Sequence, residues 1–185
     1  MAVQIGQQAP DFRLQDQHGQ DVSLSSFRGR KAVLLVFYPF AFSGICSREL
    51  AALQDEKAAI DNDDGALLAV SCDSMYALRI FSERDGPSYP LLSDFWPHGD
   101  VARSYGIFEQ DRGCALRGTF LIDTAGDVRW KIENGLPAVR DVGEYRAHWP
   151  SWSPELAAKI SINNLARRVA QRPHDGVQYH CCGRR

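Results

Sequence analysis

Residues 32–38 have the sequence Ala-Val-Leu-Leu-Val-Phe-Tyr, an unbroken apolar run rich in branched side chains. Such a run is typical of a central strand that is buried on both faces of a sheet. Pro39 ends the run, because proline cannot donate a hydrogen bond to a neighbouring strand. Residues 66–70 form a second apolar run, and residues 47–60 between the two carry apolar side chains at helical spacing. This order of strand, helix and strand predicts an α/β fold.

Further helices and strands are predicted on both sides of this unit. Asp73 or Ser74 can cap a helix that stops at Gly86, and a brief helix is expected to end at Gly106. A short strand is expected at residues 89–92. The alternation of apolar and polar residues around a turn predicts a hairpin near each end of the domain. The two predicted hairpins comprise residues 9–14 with 21–24, and residues 118–123 with 128–132. We therefore expect a central mixed sheet flanked by helices, with an N-terminal β-hairpin.

The domain organisation follows from length and from a change of pattern near residue 150. A chain of 185 residues is expected to form one compact domain with a short appendage. Ser153-Pro154-Glu155 is typical of a helix start, whereas residues 172–185 show no periodicity and are predicted to be mobile. We thus predict a domain of residues 1–150, followed by a C-terminal helical extension and tail over residues 151–185.

The overall composition excludes several classes of protein. The net charge of -2 disfavours nucleic acid as a partner, because phosphate binding usually requires a basic excess. Residues 1–6 lack the pattern of a signal peptide, and no apolar stretch is long enough to span a membrane. The five cysteines are an odd number and contain no C-x-x-C pair. These features predict a cytoplasmic protein in a reducing compartment, with free thiols.

Cys46 is the cysteine whose position is best suited to chemistry. It follows the first predicted buried strand and lies at the opening of the helix after it. Reactive groups of α/β proteins gather at the carboxyl ends of strands, and a helix N-terminus offers unpaired N–H groups and a positive dipole end. A small buried residue that fills the first helical turn would occupy the same position, so position alone leaves both interpretations open.

The stretch around Cys46 carries a more specific signal. Residues 37–50 have the sequence Phe-Tyr-Pro-Phe-Ala-Phe-Ser-Gly-Ile-Cys-Ser-Arg-Glu-Leu. This stretch resembles the active-site loop of the peroxiredoxins, Pro-x-x-x-Thr/Ser-x-x-Cys, with Pro39, Ser43 and Cys46 on the pattern. The resemblance covers residues 1–145 and includes residues 9–12, 27–29, 90–94 and 117–123. It implies a thioredoxin-like fold.

A second stretch narrows the resemblance to one branch of that family. Residues 94–99, Asp-Phe-Trp-Pro-His-Gly, together with residues 42–46, look closest to the one-cysteine alkyl hydroperoxide reductase E branch of actinobacteria. The activity implied is a thiol-dependent peroxidase that needs no cofactor and no metal. Its substrates would be hydrogen peroxide and organic hydroperoxides.

The resemblance implies a role for each of five residues. Cys46 would be the nucleophile that attacks the peroxide and becomes a sulfenic acid. Arg117 would stabilise the thiolate and hold the peroxide oxygens. Ser43 stands where the family usually has Thr, and it keeps the hydroxyl but loses the methyl group that restricts the rotamer. Pro39 would shield the site from water. Glu49, one helical turn after Cys46, would orient Arg117, although a solvated helix face is an equally good interpretation.

The implied partners are a hydroperoxide, a thiol reductant and a second copy of the chain. The reductant would be a mycoredoxin and mycothiol couple, or thioredoxin. An apolar rim of Phe40, Phe42 and Trp96 would admit organic hydroperoxides, whereas core packing is the better interpretation of Phe37. The homodimer is implied by the resemblance alone.

The other cysteines leave two alternatives open. Cys72 ends a predicted strand on the same edge as Cys46, although packing as a small apolar residue is the better interpretation of Cys72. Cys181 and Cys182 lie in the basic tail, and any of these three would resolve Cys46 in a two-cysteine peroxiredoxin. Cys114 is expected in the strand that leads to Arg117, facing away from it, as a structural residue. The second alternative is a redox-switched binding protein or holdase, in which Cys46 oxidation is a signal.

Overall fold

The computed structural model describes residues 2–136 together with residues 145, 148 and 149. Its elements are β1 Arg13–Gln15, β2 Asp21–Ser23, a 3-10 turn Leu24–Phe27, β3 Ala32–Phe37, α1 Gly44–Ile60, β4 Gly65–Ser71, α2 Met75–Asp85, β5 Leu91–Ser93, α3 Asp100–Ser104, β6 Phe108–Glu109, β7 Cys114–Ala115, β8 Arg117–Ile122 and β9 Val128–Asn134.

Seven of these strands form one mixed sheet, in the order β2-β1-β5-β4-β3-β8-β9. β3 pairs parallel with β4, and β4 pairs parallel with β5. β8 runs antiparallel to β3 and forms a hairpin with β9, while β1 and β2 form the N-terminal hairpin. The predicted mixed sheet, with its helices and its two hairpins, is therefore confirmed.

β3 occupies the middle of the sheet, and all of its residues are buried. The neighbouring strands β4 and β8 are buried along their whole lengths as well. At Phe37, the last residue of β3, a cluster of three aromatic rings forms. The rings of Phe37, Tyr105 and Phe120 pack with centroids 4.9 to 5.9 Å apart. Burial on both faces is the physical reason for the unbroken apolar run in this part of the sequence.

α1 begins at Gly44, three residues before the predicted start. Ser43 takes the N-cap position with an extended backbone, and its carbonyl oxygen accepts the Ser47 N–H at 2.9 Å. The apolar spacing that predicted the helix starts only at Leu50, so periodicity could not mark the first turn. The earlier start places Cys46 inside the first turn.

α2 has both of its predicted ends. Of the two candidate caps, Ser74 accepts the Ala77 N–H at 3.3 Å, whereas the Asp73 carboxylate accepts the Ala41 N–H at 2.8 Å. Gly86 ends the helix in the left-handed region with φ 86°, a conformation that glycine adopts without a steric penalty.

The prediction that Cys114 shares a strand with Arg117 was wrong. Cys114 belongs to β7, which pairs with β6 in a separate two-stranded sheet, and β8 starts at Arg117. Leu116 interrupts the strand and donates its N–H to the Ile107 carbonyl at 2.7 Å. Strand alternation therefore does not extend from Cys114 to Arg117, and both side chains are buried.

The predicted C-terminal extension and tail, residues 151–185, lie outside the described residues, and so do Cys181 and Cys182. The domain boundary near residue 150 stays a prediction. Within the described ranges, no helix has both the length and the apolar character that a membrane crossing requires.

The burial of β3 can be tested with Leu35→Ala. Leu35 is fully buried, so its truncation should lower the free energy of unfolding by about 2–5 kcal/mol, measured by urea denaturation. Ile80→Ala, at a position that is 55% exposed, is the control and should change the free energy of unfolding by less than about 0.5 kcal/mol. Equal losses in the two variants would contradict the central position of β3.

Candidate active site

Cys46 lies at the carboxyl edge of the parallel strands, in the first turn of α1. The loop of residues 38–43 joins β3 to this helix; within it Pro39 is buried and Ser43 is half-buried. The Cys46 side chain is completely buried. Because the first N–H groups of a helix have no partner inside the helix, this edge combines a thiol, a hydroxyl and unpaired backbone donors.

Ser43 is an N-cap residue whose side chain makes no capping hydrogen bond. Serine at this position usually accepts a hydrogen bond from an N–H group of the first helical turn. Here the hydroxyl makes no hydrogen bond to the helix backbone. It can therefore serve a ligand at the N-terminus of α1.

Arg117 reaches the same edge because β8 runs antiparallel to β3. Val36 pairs with Thr119, so Arg117, two residues earlier in β8, lies level with the residue that follows β3. The guanidinium donates through Nη1 to the Glu49 carboxylate and through Nε to the Leu136 carbonyl oxygen at 3.1 Å. Two partners from distant parts of the chain, Glu49 on α1 and Leu136 just after β9, hold the guanidinium in one orientation.

Glu49 lies on α1 three residues after Cys46, on the same side of the helix. The Glu49 and Arg117 side chains are each only 3% exposed. Two charges are stable at this depth only when they are well matched, since the loss of either partner would leave a charge buried without compensation. The predicted contact between Glu49 and Arg117 is therefore present, and it excludes a solvated face for Glu49.

The loop before α1 is held by residues that the sequence did not single out. Phe42 has φ 63°, a left-handed conformation that costs energy for a bulky residue. Its ring packs edge-on against Phe81 of α2 at 5.2 Å, and the Arg84 guanidinium covers it at 4.6 Å. The Asp73 carboxylate holds the Ala41 N–H. These contacts stabilise the strained turn that leads into the first turn of α1, and no local pattern connects Arg84 with Phe42.

The predicted aromatic rim is only partly assembled. Phe37 lies in the core, as expected, and Phe40 and Phe42 are each 41% exposed on the loop. Trp96 is 82% exposed and lines a groove of about 460 Å³ beside Tyr76, together with residues of β1. An aromatic surface is thus present, but it is distributed between the loop and this groove.

Two further free thiols, Cys72 and Cys114, are buried in the described part of the chain. Burial raises the pKa of Cys72 to about 12, and the charge of Asp94 adds to this effect. Burial also raises the pKa of Cys114, with a smaller contribution from Glu109. Both side chains are therefore neutral thiols near pH 7. Across the described residues, no three His, Cys, Asp or Glu side chains are arranged to hold a metal ion.

Comparison with known proteins gives a consistent set of similarities. Residues 5–131 match the model of the AhpC/TSA family. Alkyl hydroperoxide reductase E from Mycobacterium tuberculosis is 46% identical over 139 residues, which are 75% of this chain and 91% of that protein. The reduced 2-Cys peroxiredoxin of Plasmodium vivax superimposes with a TM-score of 0.69 at 30% identity, over 76% of this chain and 77% of the other. AhpC of Enterococcus faecalis superimposes with a TM-score of 0.70 at 26% identity, over 93% of this chain and 98% of the other.

The buried ion pair generates a stability prediction. Glu49→Ala should lower the free energy of unfolding by about 3–5 kcal/mol, because it leaves the Arg117 charge buried without its partner. Glu49→Gln keeps a hydrogen-bond acceptor and should cost less. Urea denaturation measures both, with Asp21→Ala as the control, since the exposed Arg13–Asp21 pair should contribute about 0–1 kcal/mol. A loss for Glu49→Ala no larger than that of the control would show that the pair is not buried in solution.

Proposed function

The chain belongs to the AhpC/TSA family and is a peroxidase of the peroxiredoxin class with a thioredoxin-like fold, and from this premise we propose that Cys46 is its peroxidatic cysteine. The observation that carries the proposal is the meeting of three side chains, from two elements, at one edge. The first turn of α1 brings Cys46, its second turn brings Glu49, and the start of β8 brings Arg117. The substrates proposed are hydrogen peroxide and organic hydroperoxides.

The reaction at Cys46 breaks the O–O bond of the peroxide. The thiolate sulfur attacks one oxygen, and the other oxygen leaves with a proton as water or as an alcohol. Cys46 becomes a sulfenic acid. Negative charge develops on the departing oxygen, and a preorganised donor that points at this oxygen lowers the barrier. Arg117, held by Glu49 and the Leu136 carbonyl oxygen, is that donor in the proposal.

Ser43 and Pro39 have supporting roles in this reaction. The Ser43 hydroxyl, which the helix backbone does not use, accepts a hydrogen bond from the peroxide and orients it. Pro39 is buried at the end of β3, where it has no N–H to attract water and excludes solvent from the thiolate side.

We propose that an external thiol recycles the sulfenic acid. The thiol attacks the Cys46 sulfur, water leaves, and a second thiol then reduces the mixed disulfide. A mycoredoxin and mycothiol couple, or thioredoxin, is the reductant that the resemblance to the one-cysteine branch supports. Resolution by the tail would require Cys181 or Cys182, which lie outside the described residues.

We further propose a cytoplasmic homodimer. The described surface carries large exposed apolar side chains that a second copy could cover, namely Phe40, Phe42, Tyr76, Ile80, Phe95 and Trp96. The net charge of -2 gives no support to nucleic acid as a partner.

The assignment of the nucleophile is tested by stopped-flow mixing of the reduced protein with hydrogen peroxide. Cys46→Ser should abolish rapid consumption. Arg117→Met should lower the second-order rate constant by a factor of about 10²–10³, since it removes one donor to the developing charge. Arg117→Lys keeps a positive charge but lacks the planar guanidinium, so its rate constant should lie between those of Arg117→Met and the parent. Arg129→Met, at an exposed residue of β9, is the matched control and should leave the rate unchanged. Rapid consumption by Cys46→Ser would overturn the assignment.

The role of Ser43 is tested by a pair of substitutions. Ser43→Ala removes the hydroxyl and should slow peroxide reduction by about 2- to 10-fold, the value of one hydrogen bond between neutral groups. Ser43→Thr keeps the hydroxyl and adds the methyl group that restricts its rotamer, so its rate should equal or exceed that of the parent. If Ser43→Ala reacts as fast as the parent, the hydroxyl does not contact the peroxide.

A further inference from the structure

The last turn of α2 carries an ion pair whose contacts reach beyond the helix. Arg84 donates through Nε and Nη2 to the two carboxylate oxygens of Asp85, at 2.7 and 2.9 Å. This bidentate geometry fixes the plane of the guanidinium. The Arg84 side chain is 59% exposed and that of Asp85 is 22% exposed, so the pair by itself contributes little to the stability of the fold.

Each member of the pair contacts a residue of the segment that contains Cys46. The Arg84 guanidinium lies 4.6 Å from the centre of the Phe42 ring. The Asp85 carboxylate accepts a hydrogen bond from the Ser47 hydroxyl at 3.3 Å. The Arg84 hydrogen bonds lower the pKa of the Asp85 carboxyl, with a smaller contribution from Ser47, so this acceptor is ionised at neutral pH. The two contacts lie on either side of Cys46 in the sequence.

Phe42 and Ser47 flank the first turn of α1. Ser43, the residue after Phe42, is the N-cap, and its carbonyl oxygen accepts the Ser47 N–H at 2.9 Å. That hydrogen bond closes the turn in which Cys46 lies. An ion pair that holds both Phe42 and Ser47 therefore restrains the turn at its two ends.

The backbone of Phe42 requires such a restraint. Its φ of 63° is costly for a bulky residue, so the loop keeps this conformation only where other contacts favour it. The Asp73 carboxylate holds the preceding residue through the Ala41 N–H at 2.8 Å. The Phe42 ring itself is 41% exposed and contacts Phe81 and Arg84. The conformation at Phe42 thus depends on these two side chains of α2.

We propose that Arg84 and Asp85 are positioning residues for the peroxidase reaction, because as an ion pair they hold Phe42 and Ser47 and so keep the first turn of α1 in the orientation in which Cys46 reacts. The inference rests on the proposed function, since it concerns the rate of reaction at Cys46. Neither member of the pair contacts the peroxide. The pair favours one conformation of the loop, and its loss lowers the fraction of molecules in which Cys46 is correctly placed.

Stopped-flow mixing of the reduced full-length chain with hydrogen peroxide tests the role of the cation. Arg84→Met should lower the second-order rate constant about 2- to 5-fold, the factor that corresponds to an exposed cation–π contact. Arg84→Lys keeps a cation and should recover part of the loss; a rate no higher than that of Arg84→Met would contradict the role of the charge. Arg103→Met, which removes a guanidinium 3.6 Å from the Phe108 ring, is the matched control and should leave the rate unchanged.

A double-mutant cycle with Phe42→Gly tests the route through the ring. Glycine adopts a positive φ without steric cost, and it has no ring for Arg84 to hold. Arg84→Met should therefore slow the reaction by a smaller factor in the Phe42→Gly background than in the parent. An equal factor in both backgrounds would show that Arg84 acts without Phe42, and it would overturn the proposal.

Asp85→Asn tests whether the two residues act as a unit. The amide keeps the size of the side chain and an acceptor for Ser47, but it lacks the charge that fixes the guanidinium. We expect a loss of rate in the same direction as for Arg84→Met, and the two losses should not multiply in the double variant. Losses that multiply would contradict the ion pair as the acting element.

The outcomes separate this proposal from the proposed function. If Cys46→Ser is inactive and Arg84→Met reacts as fast as the parent, the positioning role is overturned and the peroxidase assignment stands. If Cys46→Ser still consumes peroxide rapidly, the proposed function fails, and the positioning role fails with it.

Discussion

The buried ion pair between Arg117 and Glu49 is the interaction on which the site depends. It joins the second turn of α1 to the start of β8, two elements whose sequences are far apart. Because neither charge is stable alone at this depth, the pair requires α1 and β8 to keep one relative position. That position fixes the guanidinium with respect to Cys46, one turn earlier on the same helix face.

The sheet makes the contact feasible because β3 has a parallel neighbour on one side and an antiparallel one on the other. The parallel neighbour brings Cys72 to the edge where Cys46 lies, and the antiparallel neighbour brings Arg117. The same edge therefore holds Cys46 and Arg117, together with the buried, neutral thiol of Cys72. Burial raises the pKa of Cys72 and of Cys114, and this separates their chemistry from that of a peroxidatic thiol.

Local sequence patterns predicted the elements but not all of their boundaries. The apolar runs at β3 and β4, the Ser74 cap and the Gly86 stop depend on neighbouring residues only, and they were confirmed. α1 starts earlier than predicted, because its first turn is set by the loop contacts and not by apolar spacing. The interruption at Leu116 likewise depends on the carbonyl of Ile107, which local alternation does not reveal.

The sequence by itself determined the fold class, the family resemblance and the residues of the candidate site, because burial patterns and the spacing around Cys46 are properties of neighbouring residues. Only the tertiary structure decided how these residues meet. Glu49 could have faced solvent, and Phe42 had no pattern to connect it with Phe81 and Arg84. Cys114 had been placed on the wrong strand, because the interruption at Leu116 depends on a contact with Ile107. The physical reason is that ion pairs and ring contacts depend on strand order and register, which bring together residues that are distant along the chain.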